Sequence, residues 1–445
     1  MKKYFLAVAS FFIYSHISLG QVYPGQMDST FVPVRSHHYD PELTFDFCVN
    51  EPAWSNQAGI HSAFGSTDRL YFRKEVPVNH DNDLSSSYST TVWRGERANA
   101  QILVWSSEAL EQVRVSTQDL RSAEGNIIPK DRITFELVRY VLSNYPYAEK
   151  KAICGESPYK SGFLMPDRFE TLDRFDLPSQ TTRPVWMMVD VPRGTAPGTY
   201  KGQVEVRAKG KAPQLLNLEI VVQNQLLPYP KDWKYRLDLW QNPWAVAWYN
   251  HVEPWSPEHK MLLKQHLKHY ADAGGTYITT YGVHSPWSDN SYMIEGGMIE
   301  WIKKADGTWA FDYKIFDEYV ELAMECGIDE AITLYTPIPW GFRHRYKDEA
   351  TGDYSYINWT PSSKEFKKMW NIFLTDFKFH LEAKSWLDIT YIGINENPME
   401  ETLAAINVVR NHDKCWKITY AGNWHKELDG LLDDYSCLLY TSPSP

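Results

Sequence analysis

From residue 236 onward the apolar pattern switches repeatedly between a period near two and a period near 3.6. That alternation restricts the fold more than any other feature of the chain. "YRLDLWQNP" reads as a strand, "SPEHKMLLKQHLKHYADAGG" as a helix with a Ser cap and a Gly stop, and "TYITTYGVH" as a second strand. "DYKIFDEYVELAMECGI" is the next helix and "EAITLYTPIPW" the third strand. "SSKEFKKMWNIFLTDFKFHLEAKSW" is a long helix, "DITYIGINE" the fourth strand, "PMEETLAAINVVRNH" a helix opened by Pro398, and "KITYAGNWH" the fifth strand. Successive strand–helix units imply a parallel sheet. A (β/α)8 barrel of the TIM type is expected rather than a doubly wound sheet, because no Gly-rich phosphate turn follows the first strand. Polar and aromatic residues gather instead at the C-terminal ends of all five strands: Gln241 and Asn242, His284 with Trp287, Trp340, Asn395 with Glu396, and Asn423 with His425. In a barrel these ends share the face that carries chemistry. Five strands do not close an eight-stranded barrel, so residues 236–436 are expected to form an incomplete one.

The chain before this point has a different pattern. Residues 45–225 read as all-β, with alternating runs in "TTVWRGERANAQILVWSS" and "RPVWMMVDVP" and two strands around a Gly-Lys turn in "GTYKGQVEVRAKGKAPQLLNLEIVVQ". "GESPYKSGFLMPDRFETLDRFDLPSQTTRP" reads as a long loop, and the whole as a β-sandwich. "LLPYPKDWKY", residues 226–235, is the expected linker. The first 20 residues have two lysines, an apolar run and small residues at a cleavage site, the pattern of a secretory signal peptide, so export to a periplasmic or extracellular location is expected. The last nine residues, "CLLYTSPSP", resemble a translated sequencing adapter, which places the expected end of the natural sequence at Ser436.

Composition excludes several classes of partner. A formal net charge of -11 argues against nucleic acid or an anionic membrane surface. No later run is apolar and long enough to cross a membrane as a helix. Cys48, Cys154, Cys326, Cys415 and Cys437 are scattered and form no metal or disulfide pattern, with Cys326 expected to be buried on a helix. Neither a metal nor an organic cofactor is expected: H-E-x-x-H, P-loop, G-x-S-x-G and dinucleotide fingerprints are all absent from the sequence. The 18 Trp and 28 Tyr are enough both to build cores and to line a cleft with flat faces for sugar rings.

At the tip of the fourth strand, in "DITYIGINENPMEE", an amide, Asn395, sits beside a carboxylate, Glu396. Cleavage of a glycosidic bond needs a proton donor at the leaving oxygen. Partial desolvation among Trp and Tyr would raise the pKa of Glu396 toward that task. Together, "WRGERANAQI", "RPVWMMVDVP", "LDLWQNP", "MIEWIKKADGTWAFDY" and "WLDITYIGINENPMEETLAAI" resemble glycoside hydrolase family 123 and its uncharacterised relatives, over roughly residues 90–436. The resemblance implies a β-sandwich, a catalytic barrel and β-N-acetylgalactosaminidase activity by substrate-assisted retaining chemistry. In that family an Asp holds the 2-acetamido group and the adjacent Glu is the general acid/base. The pair matches Asn395 and Glu396, with Asn in place of Asp. A related substrate-assisted family, the endo-β-N-acetylglucosaminidases, uses an Asn in this role.

The Asn395 carbonyl is expected to accept the acetamido N–H. His284, Trp287, Tyr281, Tyr335, Trp340, Asn242, Asn423 and His425 are the expected substrate-binding residues, although each aromatic among them also fits core packing and each His also fits a backbone partner. Trp424 is a further candidate platform, and "FRHRYKDEATGDY" is expected to be a solvated hairpin or loop over the site. The expected partner is an oligosaccharide or glycoconjugate. The alternatives are a glycosidase with another sugar preference and a carbohydrate-binding protein without turnover.

Overall fold

A computed structural model describes residues 51–77, 84–143, 163–287 and 296–436. The leader, the tail after Ser436, Cys48, Cys154 and Cys437 lie outside them. The chain divides into two compact units, Met1–Leu227 and Pro228–Pro445.

The first unit is built on two β-sheets. One is antiparallel throughout, in the order His61–Gly65, Arg97–Ser106, Thr181–Asp190, Ile133–Ser143 and Phe163–Thr171. The main path of the other runs Ser87–Arg94, Gln214–Leu226, Gly198–Arg207, Leu110–Thr117 and Phe175–Leu177. Alternate residues of both sheets fill one core: Ala98, Ala100, Ile102 and Val104 from the first, Leu216, Leu218, Ile220 and Val222 from the second. The "TTVWRGERANAQILVWSS" stretch thus feeds both sheets, one strand to each. The expected long loop is partly strand. Phe163–Thr171 pairs with Ile133–Ser143, and Pro166 lies within it, with a register shift at Arg139/Tyr140. Proline cannot donate to a ladder, and this strand is at the sheet edge, where one side needs no donor. The Pro and polar density of the stretch therefore marks an edge strand.

The second unit carries a five-stranded sheet in the order Tyr277–Tyr281, Ala331–Tyr335, Thr390–Asn395, Lys417–Ala421 and Asp434–Ser436, parallel at every pairing. The helices form where their end signals predict. Ser256 accepts a hydrogen bond from the His259 N–H (3.1 Å) ahead of Pro257–Asp272, and Gly274 takes φ +87° beyond it. Ser363 does the same for Phe366 (3.1 Å) at the head of Lys364–Lys384. That helix buries Phe366, Trp370, Phe373, Phe377 and Leu381 on one stripe. At ~1.5–3 kcal/mol for each large apolar side chain, this face holds the helix more firmly than propensity does. Trp301 stacks on Phe373 with ring centroids 4.7 Å apart. "FRHRYKDEATGDY" forms a hairpin, Arg343–Asp348 with Tyr354–Asn358, within a separate four-stranded sheet.

Two features depart from the expected barrel. "YRLDLWQNP" is not a strand; it makes a single parallel bridge, Leu237 to Gly275. The Tyr270 hydroxyl donates to the Leu237 carbonyl (2.7 Å) and accepts from the Leu239 N–H (3.3 Å), which satisfies this backbone without a ladder. A Cβ on Gly275 would overlap the Tyr270 ring, so glycine is required for that approach. The fifth parallel strand is instead Asp434–Ser436, which the sequence pattern did not mark. The sheet order is linear, and closure of an eight-stranded barrel is not seen among the described residues.

Strand alternation gives this sheet two unlike faces. Ile278, Ile332, Leu334, Ile392, Ile394 and Ile418 belong to the core that includes Phe316, Val320 and Phe373 of the helices. The other face carries Tyr277, Thr279, Tyr281, Thr333, Tyr335, Tyr391, Gly393 and Asn395. A Cβ at Gly393 would meet Tyr335 and Thr333, and the Tyr277 and Tyr391 rings lie 6.4 Å apart.

Candidate active site

Because all five strands are parallel, their C-terminal ends converge on one edge of the sheet. Asn395 is the last residue of its strand and is 2% exposed. Its Oδ1 accepts from the Thr336 hydroxyl (3.3 Å) and from Asn397 Nδ2 (3.0 Å). Asn397 Nδ2 also donates to the Ile338 carbonyl (3.0 Å). A main-chain carbonyl only accepts, so it orients Asn397, and Asn397 in turn orients Asn395. Asn395 Nδ2 is left buried and without a partner among the described residues. The open group is therefore an N–H donor, whereas the sequence reading expected a free carbonyl. Two donors already occupy the oxygen: the Thr336 hydroxyl, from the end of the neighbouring strand, and Asn397 in the same turn, which the Ile338 carbonyl orients.

Glu396 follows at the strand end and is exposed. The desolvation expected for it is not provided by the described residues. Its Oε1 accepts from Asn423 Nδ2 (2.8 Å), which ties the end of the third parallel strand to the turn after the fourth. The Tyr435 hydroxyl donates to the Asn423 carbonyl and accepts from the His425 N–H (3.2 Å), steadying that turn.

Tyr281, Trp287 and Tyr335 come together at the ends of the first two strands. Trp287 meets Tyr281 edge-on (5.4 Å, 90°) and Tyr335 at a tilt (5.2 Å). All three are buried, and the Tyr281 hydroxyl donates to the Gln241 carbonyl (3.0 Å). They form a floor. The exposed ring over that floor is Trp240, 46% exposed, stacked on Trp287 (5.3 Å, 18°) and touching Tyr335 (5.1 Å). Sequence reasoning passed over Trp240, although it closes the strand-like run "LDLW". Thr336, which holds Asn395, is the neighbour of Tyr335, so the aromatic floor and the Asn395–Glu396–Asn423 group adjoin.

The other expected residues have different surroundings. Asn242 caps the helix Pro243–Tyr249 by accepting from the Ala245 N–H (3.2 Å), a structural role. Trp340 is half-buried and donates its backbone N–H to the Pro286 carbonyl (2.9 Å). The half-buried His425 ring packs edge-on to Tyr420 (6.4 Å). Trp424 is exposed. His284 is half-buried, and burial first, then the charges of Arg345 and Arg343, push its pKa down to about 4. It is neutral at pH 7. Cys326 is buried with its thiol pushed up by burial, and Cys415 is exposed; both are free. Among the described residues no group of three His, Cys, Asp or Glu is arranged to hold a metal, and no helix is long and apolar enough to cross a membrane.

Asp238 is a feature the sequence reading missed. It is half-buried, and desolvation first, then the Asp434 charge, push its pKa up to about 6. Its Oδ1 has no hydrogen-bond partner among the described residues. A folded-state pKa above the unfolded value near 3.8 means that the unfolded chain ionises first as pH rises, so stability falls between about pH 4 and pH 6. Asp238→Asn is expected to remove this loss. Its thermal midpoint should exceed that of the parent at pH 7, and the gap should close below pH 4. A gap that is constant with pH, or reversed, would assign Asp238 another role.

Comparison with known proteins gives a consistent picture. The family model for the glycoside hydrolase 123 catalytic domain matches residues 240–444, and that for the glycoside hydrolase 123 N-terminal domain matches residues 64–208. Among solved structures, a family 123 glycoside hydrolase from Clostridium perfringens, described for glycolipid glycan hydrolysis, is similar with a TM-score of 0.76 and 26% identity, over 86% of this chain and 68% of that one. A family 39 glycoside hydrolase from the gut symbiont Bacteroides cellulosilyticus WH2 has 12% identity over 70% of this chain and 48% of its own, with a TM-score of only 0.23. No curated protein sequence matches the chain.

Proposed function

The chain belongs to glycoside hydrolase family 123, and from that premise we propose that it is an exported enzyme that removes terminal β-linked N-acetylhexosamine, galactosamine foremost, from glycans. The observation that carries this reading is the strand-end pair itself: an exposed carboxylate, Glu396, held by Asn423, beside a buried amide, Asn395, with an open donor. In the proposed reaction the 2-acetamido oxygen of the sugar forms a bond to its own anomeric carbon. The bond to the leaving oxygen breaks as Glu396 donates its proton there. Glu396 then takes a proton from water, which opens the oxazolinium intermediate with net retention. Asn395 N–H holds an acceptor atom of the bound sugar. Trp240, stacked on Trp287, offers an exposed face against which a pyranose ring packs. In this reading the parallel sheet is a segment of a (β/α)8 barrel, and residues 1–20 are the export leader.

The test is hydrolysis of 4-nitrophenyl β-N-acetylgalactosaminide, the matching glucosaminide and the 2-deoxy analogue. Turnover is expected only with the two acetamido sugars, and product of retained configuration should form first. Equal turnover of the analogue would overturn the substrate-assisted mechanism. Binding of the sugar without turnover would leave a carbohydrate-binding protein, the reading that the uncharged Asn395 favours.

A further inference from the structure

Four arginines follow residue 228: Arg236, Arg343, Arg345 and Arg410. Two are neutralised, Arg236 by Asp434 (3.7 Å) and Arg410 by Asp433 (2.6 Å). The other two lie on the hairpin strand Arg343–Asp348, where Arg345 has one long ion pair and Arg343 none among the described residues. Arg343 is exposed, and no carboxylate among the described residues lies within 4.0 Å of it. Arg345 reaches only Glu300, at 3.9 Å, and Glu300 also accepts from the Tyr354 hydroxyl (2.9 Å). The Arg345 Nε is buried without a partner. In a chain with 56 acidic residues against 45 basic ones, a guanidinium with no counter-ion is out of character.

The geometry of the pair is that of a prepared anion site. His344, between them, is buried against Trp370 and Trp359. Arg343 and Arg345 therefore share the opposite face, ~7 Å apart by the rise of a strand. Each guanidinium lies over a tyrosine of the paired strand, Arg343 over Tyr356 (3.7 Å) and Arg345 over Tyr354 (4.2 Å). Arg343 is exposed on this face, the Arg345 Nε is a donor without a partner, and a guanidinium's N–H edge engages a carboxylate or sulfate in bidentate fashion. The charges of Arg345 and Arg343 also act on His284, just beyond the C-terminal end of the first parallel strand. Arg343 lies seven positions after Thr336, which holds Asn395, a span of at most ~25 Å. The bond between Trp340 N–H and the Pro286 carbonyl gathers that span toward the same edge.

We infer that Arg343 and Arg345 form a subsite for an anionic group, sulfate or carboxylate, carried by the glycan beyond the sugar being released. This rests on the glycosidase reading and narrows its substrate class to acidic glycans. The experiment is calorimetric titration of the full chain with three oligosaccharides ending in β-N-acetylgalactosamine: one sulfated, one bearing a uronate, one neutral. At low salt one or both anionic ligands should bind about 10-fold or more tightly than the neutral one, and the ratio should shrink as salt rises. Whichever anionic ligand keeps the larger ratio names the group. Arg343→Gln should bring that ratio toward one, and Arg343→Gln combined with Arg345→Gln should abolish it. Lys264→Gln, an exposed cation elsewhere on the same unit, should leave it intact. Equal binding of all three ligands, no binding of any, or a ratio untouched by Arg343→Gln overturns the inference. Since Arg343 is exposed, that single variant retains the fold even if the double variant does not. Anion-dependent binding without turnover would sink the catalytic reading alone, and turnover without anion preference would sink the subsite alone.

Discussion

Glu396→Gln is expected to lower the turnover of a β-N-acetylhexosaminide by ~10²–10⁴-fold, the usual worth of a positioned general acid/base. The substitution is nearly isosteric, and a Gln Oε1 can still accept from Asn423 Nδ2, so the turn after the fourth parallel strand should keep its place. Glu396 is exposed, so stability should hardly change. The loss should depend on the leaving group. With an alkyl or sugar aglycone, which needs protonation to depart, kcat should fall by the full factor. With a nitrophenolate the first step needs little help, and the second step, in which Glu396 activates water, should dominate the deficit. Steady-state kinetics on both aglycones, beside a thermal midpoint, decide the matter. A drop of less than about threefold on both would remove Glu396 from the chemistry.

Asn395→Asp is expected to hold or raise kcat on N-acetylhexosaminides, by up to ~10²–10³-fold, the worth of one preorganised group opposite a developing charge. The local hydrogen bonds favour the exchange. One carboxylate oxygen can keep both donors now held by Oδ1, the Thr336 hydroxyl and Asn397 Nδ2. The other takes the position of the unpartnered Nδ2 and becomes an acceptor for the acetamido N–H, with negative charge beside the forming oxazolinium. Burial opposes ionisation at a site only 2% exposed, while the two donors favour it. A carboxylate there also faces Glu396, and like charge should move the alkaline limb of the pH–rate profile upward. Pre-steady-state rates and pH profiles of the two forms test this. A faster variant with an unmoved alkaline limb would detach the gain from that coupling. Absence of turnover in both forms would end the substrate-assisted assignment.

Much of the second unit was legible because its signals are local. Ser256 and Ser363 announce their helices through hydroxyls that reach N–H groups three residues on. The strands Tyr277–Tyr281, Ala331–Tyr335, Thr390–Asn395 and Lys417–Ala421 are short, fully or largely buried runs. The misread segments are those where a distant partner overrides local pattern. "YRLDLWQNP" has the composition of a strand, but the Tyr270 hydroxyl, 33 positions beyond Leu237, takes its backbone groups. Phe163–Thr171 has the composition of a loop, yet an edge position tolerates its proline. The candidate site divides in the same way. Asn395 and Glu396 are neighbours in sequence and stand out in it, while Trp240 and Asp238 look like ordinary members of an apolar run.

The sequence by itself determined four of the five parallel strands and the helices between them, and its motifs carried the family resemblance, because strand and helix periods, caps and the "GINENP" stretch are properties of residues a few positions apart. Only the tertiary structure decided what those residues offer to a ligand. Asn395 presents an N–H because Asn397 and Ile338 orient it, and the hydroxyl that shares its oxygen comes from Thr336, 59 positions away. Glu396 is held by Asn423, 27 positions on, and Trp240 becomes the exposed face of the floor because Trp287 lies beneath it. The hydrogen-bond direction of an amide and the exposure of a ring are set by whichever atoms crowd against them, and in this chain most of those atoms arrive from segments distant in sequence.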